Sequence, residues 1–173
     1  MILGADRAPV SSEAPGCTVE STPYRTQIKG LSFILYDTAG LNEITTIRHQ
    51  DAVTNLRRLL ESLTDGVSLL VYVIRGPRIK EYTVENYKRF FDICRQKKVP
   101  VVLVVTGLEH EEVMDQWWDR NWRVFDRHGM RFSGQACITA TKGKWARGRG
   151  YTFAEEYEES VEKVRQLVWE SCP

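Results

Sequence analysis

"VVLVVTGLE", Val101–Glu109, decides the fold. Five consecutive apolar residues, four of them valine, run straight into Thr-Gly-Leu-Glu. A run this short and this β-branched predicts a strand, and the lack of polar alternation predicts that both its faces are covered. "VSLLVYVI", Val67–Ile74, reads the same way. Between them Tyr87, Phe90, Phe91 and Cys94 recur at helical spacing, and Pro100 ends the connection. Strand, helix and strand in that order make a βαβ unit, so the sheet is mostly parallel with helices on both faces.

The same alternation continues outward. Downstream, Val113, Trp117, Val124 and Phe125 mark a helix, "ACIT" (Ala136–Thr139) a short strand, and Tyr157, Val161, Val164 and Val168 a final helix. Upstream, Val53, Leu56, Leu59, Leu60 and Leu63 form an amphipathic helix closed by Gly66. Before it, "LSFILYDTAGLNE" (Leu31–Glu43) reads as a buried strand ending in Asp-Thr-Ala-Gly. Lys29-Gly30 predicts a hairpin turn that adds one antiparallel edge strand to the sheet. Residues 4–17, rich in Ala, Pro, Gly and Ser, read as loop.

One α/β domain over 1–173 accounts for this pattern. At 42% hydrophobic and 27% charged residues, the chain can bury a core. Lys+Arg at 24 against Asp+Glu at 23 give a net charge of +1, which argues for no nucleic-acid partner. No apolar run reaches the length of a transmembrane segment. Met1-Ile2-Leu3 runs directly into Gly4-Ala5-Asp6-Arg7, unlike a signal peptide, and the four cysteines lack a C-x-x-C pair. A cytoplasmic protein with free thiols is expected.

In parallel sheets ligands bind beyond the carboxyl ends of the strands. Residues at those ends therefore belong to one set: Asp37-Thr38-Ala39-Gly40, Thr106-Gly107-Leu108-Glu109 and Thr139-Ala140-Thr141, with Thr18 in the loop ahead of the hairpin. Taken singly each is ordinary: a chance D-x-x-G, a helix start, a strand exit, a turn hydroxyl. Taken together, in this order, they resemble the nucleotide site of a P-loop GTPase. The stretches "APGCTVESTPY", "LYDTAGLNE", "GVSLLVYVIRG" and "KVPVVLVVTGLE" are similar to the avirulence-induced-gene (AIG) type and to fungal G-domain-containing proteins.

The resemblance implies a three-layer αβα Ras-like G domain that uses GTP and Mg²⁺. It makes Thr18 the residue that meets Mg²⁺ and the γ-phosphate, and Asp37 a Mg²⁺ ligand through water. Gly40 offers its N–H to the γ-phosphate. Glu109, after Thr106, accepts the two adjacent donors of guanine on its two carboxylate oxygens. Ala140 offers its N–H to guanine O6.

The chain departs from the pattern in three places. No G-x-x-x-x-G-K-[ST] occurs in it, although that loop supplies the phosphate cradle and lysine. The seventeen residues before Thr18 are too few for a strand, loop and helix, which need about 30. The expectation is an N-terminally truncated G domain, lacking the first strand, the P-loop and most of the first helix, with weak or absent nucleotide affinity. The absent strand belongs between Leu31–Tyr36 and Val67–Ile74. Leu41 stands where many small GTPases carry the glutamine that orients water, so no catalytic residue is assigned. Gly107 replaces the lysine that often packs along the base.

Two alternatives remain open at this point. One is a nucleotide-free pseudo-GTPase interaction module holding a protein partner or a second copy. The other is an unrelated doubly wound enzyme whose Asp37 and Glu109 bind a small ligand. "HEEVM" (His110–Met114) lacks the second histidine of a zinc motif. "TKGKWARGRG" (Thr141–Gly150) reads as a basic flexible loop, and Trp117, Trp118 and Trp122 as helix packing residues.

Overall fold

The computed structural model describes residues 2, 22–38, 46–63, 66–95 and 99–172. Strands β1 (Thr22–Ile28) and β2 (Leu31–Asp37) form an antiparallel hairpin in which Ile28 pairs with Leu31. The two turn residues, Lys29 (φ 48°) and Gly30 (φ 83°), both have the positive φ that a two-residue type I′ connection demands. Helix α1 (Thr46–Ser62) follows, then β3 (Leu70–Arg75), α2 (Glu81–Arg95), β4 (Val101–Thr106), α3 (Gln116–Arg127) and β5 (Gly134–Cys137). A small hairpin, β6 (Trp145–Ala146) and β7 (Gly150–Tyr151), precedes the last helix, α4 (Ala154–Ser171).

The expected parallel sheet is present as β3-β4-β5, with β4 in the centre. Residues along β4 alternate between two cores. Val101, Leu103 and Val105 face α1, α2 and α3, where Leu56, Leu60, Tyr87, Trp117 and Phe125 pack. Val102 and Val104 face α4, where Val164, Leu167 and Val168 pack with Ala136 and Ile138. All five apolar residues of β4 are buried, so its unbroken apolar run is explained by cover on both faces. These are the layers of an α/β Ras-like fold.

Hydrogen bonds to loops tie the layers together. The Tyr72 hydroxyl donates to Thr83 O at 2.9 Å. The Tyr87 hydroxyl donates to Arg131 O at 2.8 Å and accepts from Arg131 N at 2.7 Å. The first bond ties β3 to the opening turn of α2, and the second satisfies both backbone groups of Arg131, which lies in the loop between α3 and β5. At the end of α3, Met130 N–H donates to Phe125 O and Gly129 N–H to Asp126 O. With Gly129 at φ 69°, this is the Schellman pattern that ends a helix on a left-handed residue.

Five expectations need correction. The β1–β2 hairpin forms its own two-stranded sheet and, among the described residues, is not hydrogen-bonded to β3. It is held through Ile28, which is fully buried against α4, and through Arg165, whose guanidinium donates to Ile2 O and Gln27 O at 2.8 Å each. β2 is not a buried strand, since Leu31 and Ile34 are exposed. β3 is covered fully on one face and in part on the other: Leu70, Tyr72 and Ile74 are buried and Val71 packs at the margin of the α4-side core, but Val73 is 53% exposed, because α4 packs over β5 and β4. Finally, the basic loop after Thr141 contains the β6–β7 hairpin. Val113 lies in the turn just before α3 rather than on it. The reading of residues 4–17 as loop lies outside the described residues.

Candidate functional site: the ends of β4 and β5

β4 and β5 run parallel, so their carboxyl ends lie side by side and their exit loops share one edge of the sheet. The first exit loop is Gly107-Leu108-Glu109. Gly107 takes φ 80°, and a Cβ there would stand 3.2 Å from Arg75 Cγ and 3.5 Å from Gly76 O. Glycine is therefore required both for the turn and for the close approach of the β3 exit. Leu108, buried, closes the core behind the loop, and its N–H donates to Ile138 O at 3.3 Å, stitching the β4 exit to the β5 exit. Glu109 is thereby delivered, half-buried, to the carboxyl edge.

The second loop is Thr139-Ala140-Thr141. Thr139 is fully buried. Its N–H donates to Ser160 Oγ at 3.0 Å, and Ser160 in turn donates to Glu156 O at 2.6 Å, so α4 holds the loop from behind. The Thr139 hydroxyl accepts from Thr141 N at 3.3 Å. It has one proton and two acceptors for it, Glu109 Oε2 at 3.4 Å and Thr141 O at 3.2 Å. One Glu109 oxygen is thus oriented from the β5 loop, and the other makes no hydrogen bond among the described residues. The Ala140 N–H likewise has no partner among the described residues, and Ala140 is exposed. A half-buried carboxylate beside an open N–H, both on rigid strand exits, suits a planar heterocycle that offers two adjacent donors and a carbonyl.

The structure thus brings Glu109, Thr139 and Ala140 together. Thr106 adjoins them, but its hydroxyl donates to Ile74 O at 3.2 Å and so serves to close the β3–β4 ends. Asp37 is exposed at the end of β2, in the other sheet, and no hydrogen bond joins it to this cluster among the described residues. Thr18 and Gly40 lie outside the described residues, as does Leu41. No group of three metal-ligating side chains forms among the described residues. For Mg²⁺ the described donor set is a single carboxylate, a type that ion accepts when waters and phosphate oxygens complete its shell.

Thr139 belongs to the strand-end set of the sequence, but its positioning role is not legible there, and Ser160 is not marked at all. Ser160 is a small polar residue on a helix rich in charged ones, and nothing in its spacing singles it out. Burial marks them, because the structure sinks both completely and then satisfies them.

The fold is that of a G domain of the P-loop GTPase class. The chain belongs to the family described as 50S ribosome-binding GTPase, whose model matches residues 1–107. A tRNA modification GTPase, MnmE of Akkermansia muciniphila, is 37% identical over 81 residues, which are 47% of this chain and 17% of that protein. Era in complex with MgGDPNP and a segment of 16S ribosomal RNA matches in fold with TM-score 0.64 at 16% identity, covering 99% of this chain and 50% of that one. Aquifex aeolicus Era bound to GDP and aluminium fluoride matches with TM-score 0.65 over the same shares, again at 16% identity. The chain spans half the length of these structures and a smaller part of MnmE. No helix among the described residues is long and apolar enough to cross a membrane.

Proposed function

We propose that the chain is a guanine-nucleotide switch domain, with the base held between Glu109 and Ala140. The supporting observation is the Thr139 hydroxyl within 3.4 Å of Glu109, which aims a carboxylate at the place where a ligand would meet the Ala140 N–H. A carboxylate in that position selects guanine over adenine, since adenine has no donor pair to offer it. Membership in a GTPase family supports GTP as the nucleotide and Mg²⁺ as its ion. Asp37 with Thr18 would hold that ion, and Gly40 the γ-phosphate. The AIG type is the subfamily read from the sequence motifs, with slow hydrolysis as the family-level activity and the cytoplasm as the location.

Affinity in this chain is weak. Its 173 residues contain no G-x-x-x-x-G-K-[ST], and that cradle carries most of the charge complementarity for a triphosphate. Guanosine monophosphate and adenosine monophosphate are compared by saturation-transfer NMR, alongside a fluorescent GTP analogue titrated with Mg²⁺. The expected result is detectable, guanine-selective contact that Glu109→Ala abolishes, without micromolar binding of the analogue. Micromolar binding would overturn the weak-affinity account. Equal response to both bases would overturn the base site and favour the nucleotide-free interaction module.

A further inference from the structure

The hairpin after the base loop has a surface of its own. Its turn is Arg147-Gly148-Arg149, closed by Arg149 N–H to Ala146 O at 3.0 Å. Gly148 takes φ 76° with open space around it. Trp145 and Tyr151 face each other across β6 and β7 as an edge-on pair, ring centroids 5.0 Å apart at 70°. Yet they are 66% and 45% exposed. At that exposure the Trp145 indole keeps broad ring surface open to solvent beyond its contact with Tyr151. Lys144, Arg147 and Arg149 flank these rings along the hairpin, with Lys142 at its base over the Tyr157 ring, and no acidic residue occurs from Gly134 to Ala154. Lys142 pairs with Glu158 at 3.6 Å; Lys144, Arg147 and Arg149 have no ion-pair partner among the described residues.

The hairpin is also held firmly at its base. Thr152 N–H and hydroxyl both donate to Lys144 O, and Phe153 N–H donates to Lys142 O. Phe153 lies so close to Gly143 that a Cβ there would come within 2.6 Å of its ring, and the same ring meets His110 edge-on at 5.5 Å. A solvent-exposed aromatic pair on an anchored hairpin whose turn carries Arg147 and Arg149 is a surface for a polyanion that also carries flat rings.

We propose that the β6–β7 hairpin binds single-stranded nucleic acid, with Arg147 and Arg149 on phosphates and a base stacked on the open face of Trp145. This is how strands are held without sequence readout, by cations along the backbone and aromatic platforms under bases. The order of residues favours a nucleic acid over a membrane. A membrane-inserting hairpin carries its aromatics at the tip and its cations behind; here the cations hold the tip and the aromatics stand behind it. The overall charge conceals the patch: without these four cations the net +1 becomes −3 for the rest of the chain, which disfavours polyanion binding elsewhere. The proposal is independent of the nucleotide reading, since none of its residues touches guanine.

Fluorescence anisotropy with a fluorescein-labelled 15-nucleotide oligouridylate tests it on the full chain. Binding is expected at low salt. Arg147→Ala with Arg149→Ala should weaken it at least tenfold and flatten the slope of log K against log salt by about 1.4, at about 0.7 per single-strand phosphate contact. Trp145→Ala should weaken it at least fivefold, and Trp145→Phe, which keeps a ring, should largely restore it. These side chains are exposed, so thermal midpoints should not move. Failure of the wild type to bind, or equal binding by the arginine double variant, would overturn the proposal. So would binding to phosphatidylserine vesicles without binding to the oligonucleotide.

Discussion

Thr139 shows what a single hydroxyl settles at this site. It accepts from Thr141 N and faces Glu109, while its own N–H is held by Ser160. Thr139→Val keeps the shape but leaves the Thr141 N–H without its acceptor, and Thr139→Ser restores it. The expected cost of the valine is about 1–3 kcal/mol. Amide hydrogen exchange at Thr141 should accelerate in the valine variant and return to the wild-type rate in the serine variant. Cys137 carries a second expectation. Burial pushes its thiol up to about 11 from the ordinary 9.0, with Asp115 adding to the shift. The folded state holds this proton more tightly than the unfolded one. Its contribution is therefore complete below about pH 9 and is lost as pH rises towards 11. Denaturant midpoints measured from pH 8 to 11 should fall less steeply in Cys137→Ala than in the wild type. At this scale the position of Glu109 and Ala140 at strand exits is legible in the sequence, because strand ends announce themselves through the apolar runs before them. The sequence is silent about Ser160, which reaches back to Thr139 from α4, 21 residues further along the chain.

Elements were legible where one physical rule acted alone. β4 was read correctly because nothing but double-sided burial explains five apolar residues in a row. β3 has nearly the same composition but one face fully and the other only partly covered, because cover is a property of neighbours that the strand's own residues do not encode. The β6–β7 hairpin was missed for a related reason. Its strands are two residues each, too short for any alternation to register, and its turn chemistry was hidden among cations. The end of α3 offers a clean test of local chemistry. Gly129 is left-handed, and a Cβ there would meet nothing within 4 Å. Any penalty for Gly129→Ala is therefore backbone strain alone, about 1–2 kcal/mol. Gly129→Asn should cost less, since asparagine tolerates that conformation. Chemical denaturation of the three proteins, with unchanged m-values, checks both numbers.

Across the whole molecule, the described strands form sheets that do not meet. β2 and β3 are each paired on one side, to β1 and to β4, and among the described residues neither is bonded to the other. The sequence places the absent strand between them, which leaves their facing edges unpaired, and the structure keeps the two apart. Both also carry apolar side chains that water reaches: Leu31 and Ile34 on β2, and Val73 on β3. Apolar strands of this kind, at the margin of a sheet, template pairing with other chains. No lysine stands in β2 or β3 to discourage it, although Arg75 closes β3 at its end. The chain should therefore associate as its concentration rises, through these strands rather than through the charged surface of α4. Val73→Lys places a charge on the uncovered face of β3, where it reaches solvent without entering either core. Combined with Ile34→Lys, it should shift the protein towards monomer in multi-angle light scattering over 10- to 100-fold dilution while leaving the helical circular dichroism unchanged. Glu162→Lys, on α4, should leave the association as it was. A wild-type chain that stays monomeric across that range would mean that the edges are covered within the molecule itself.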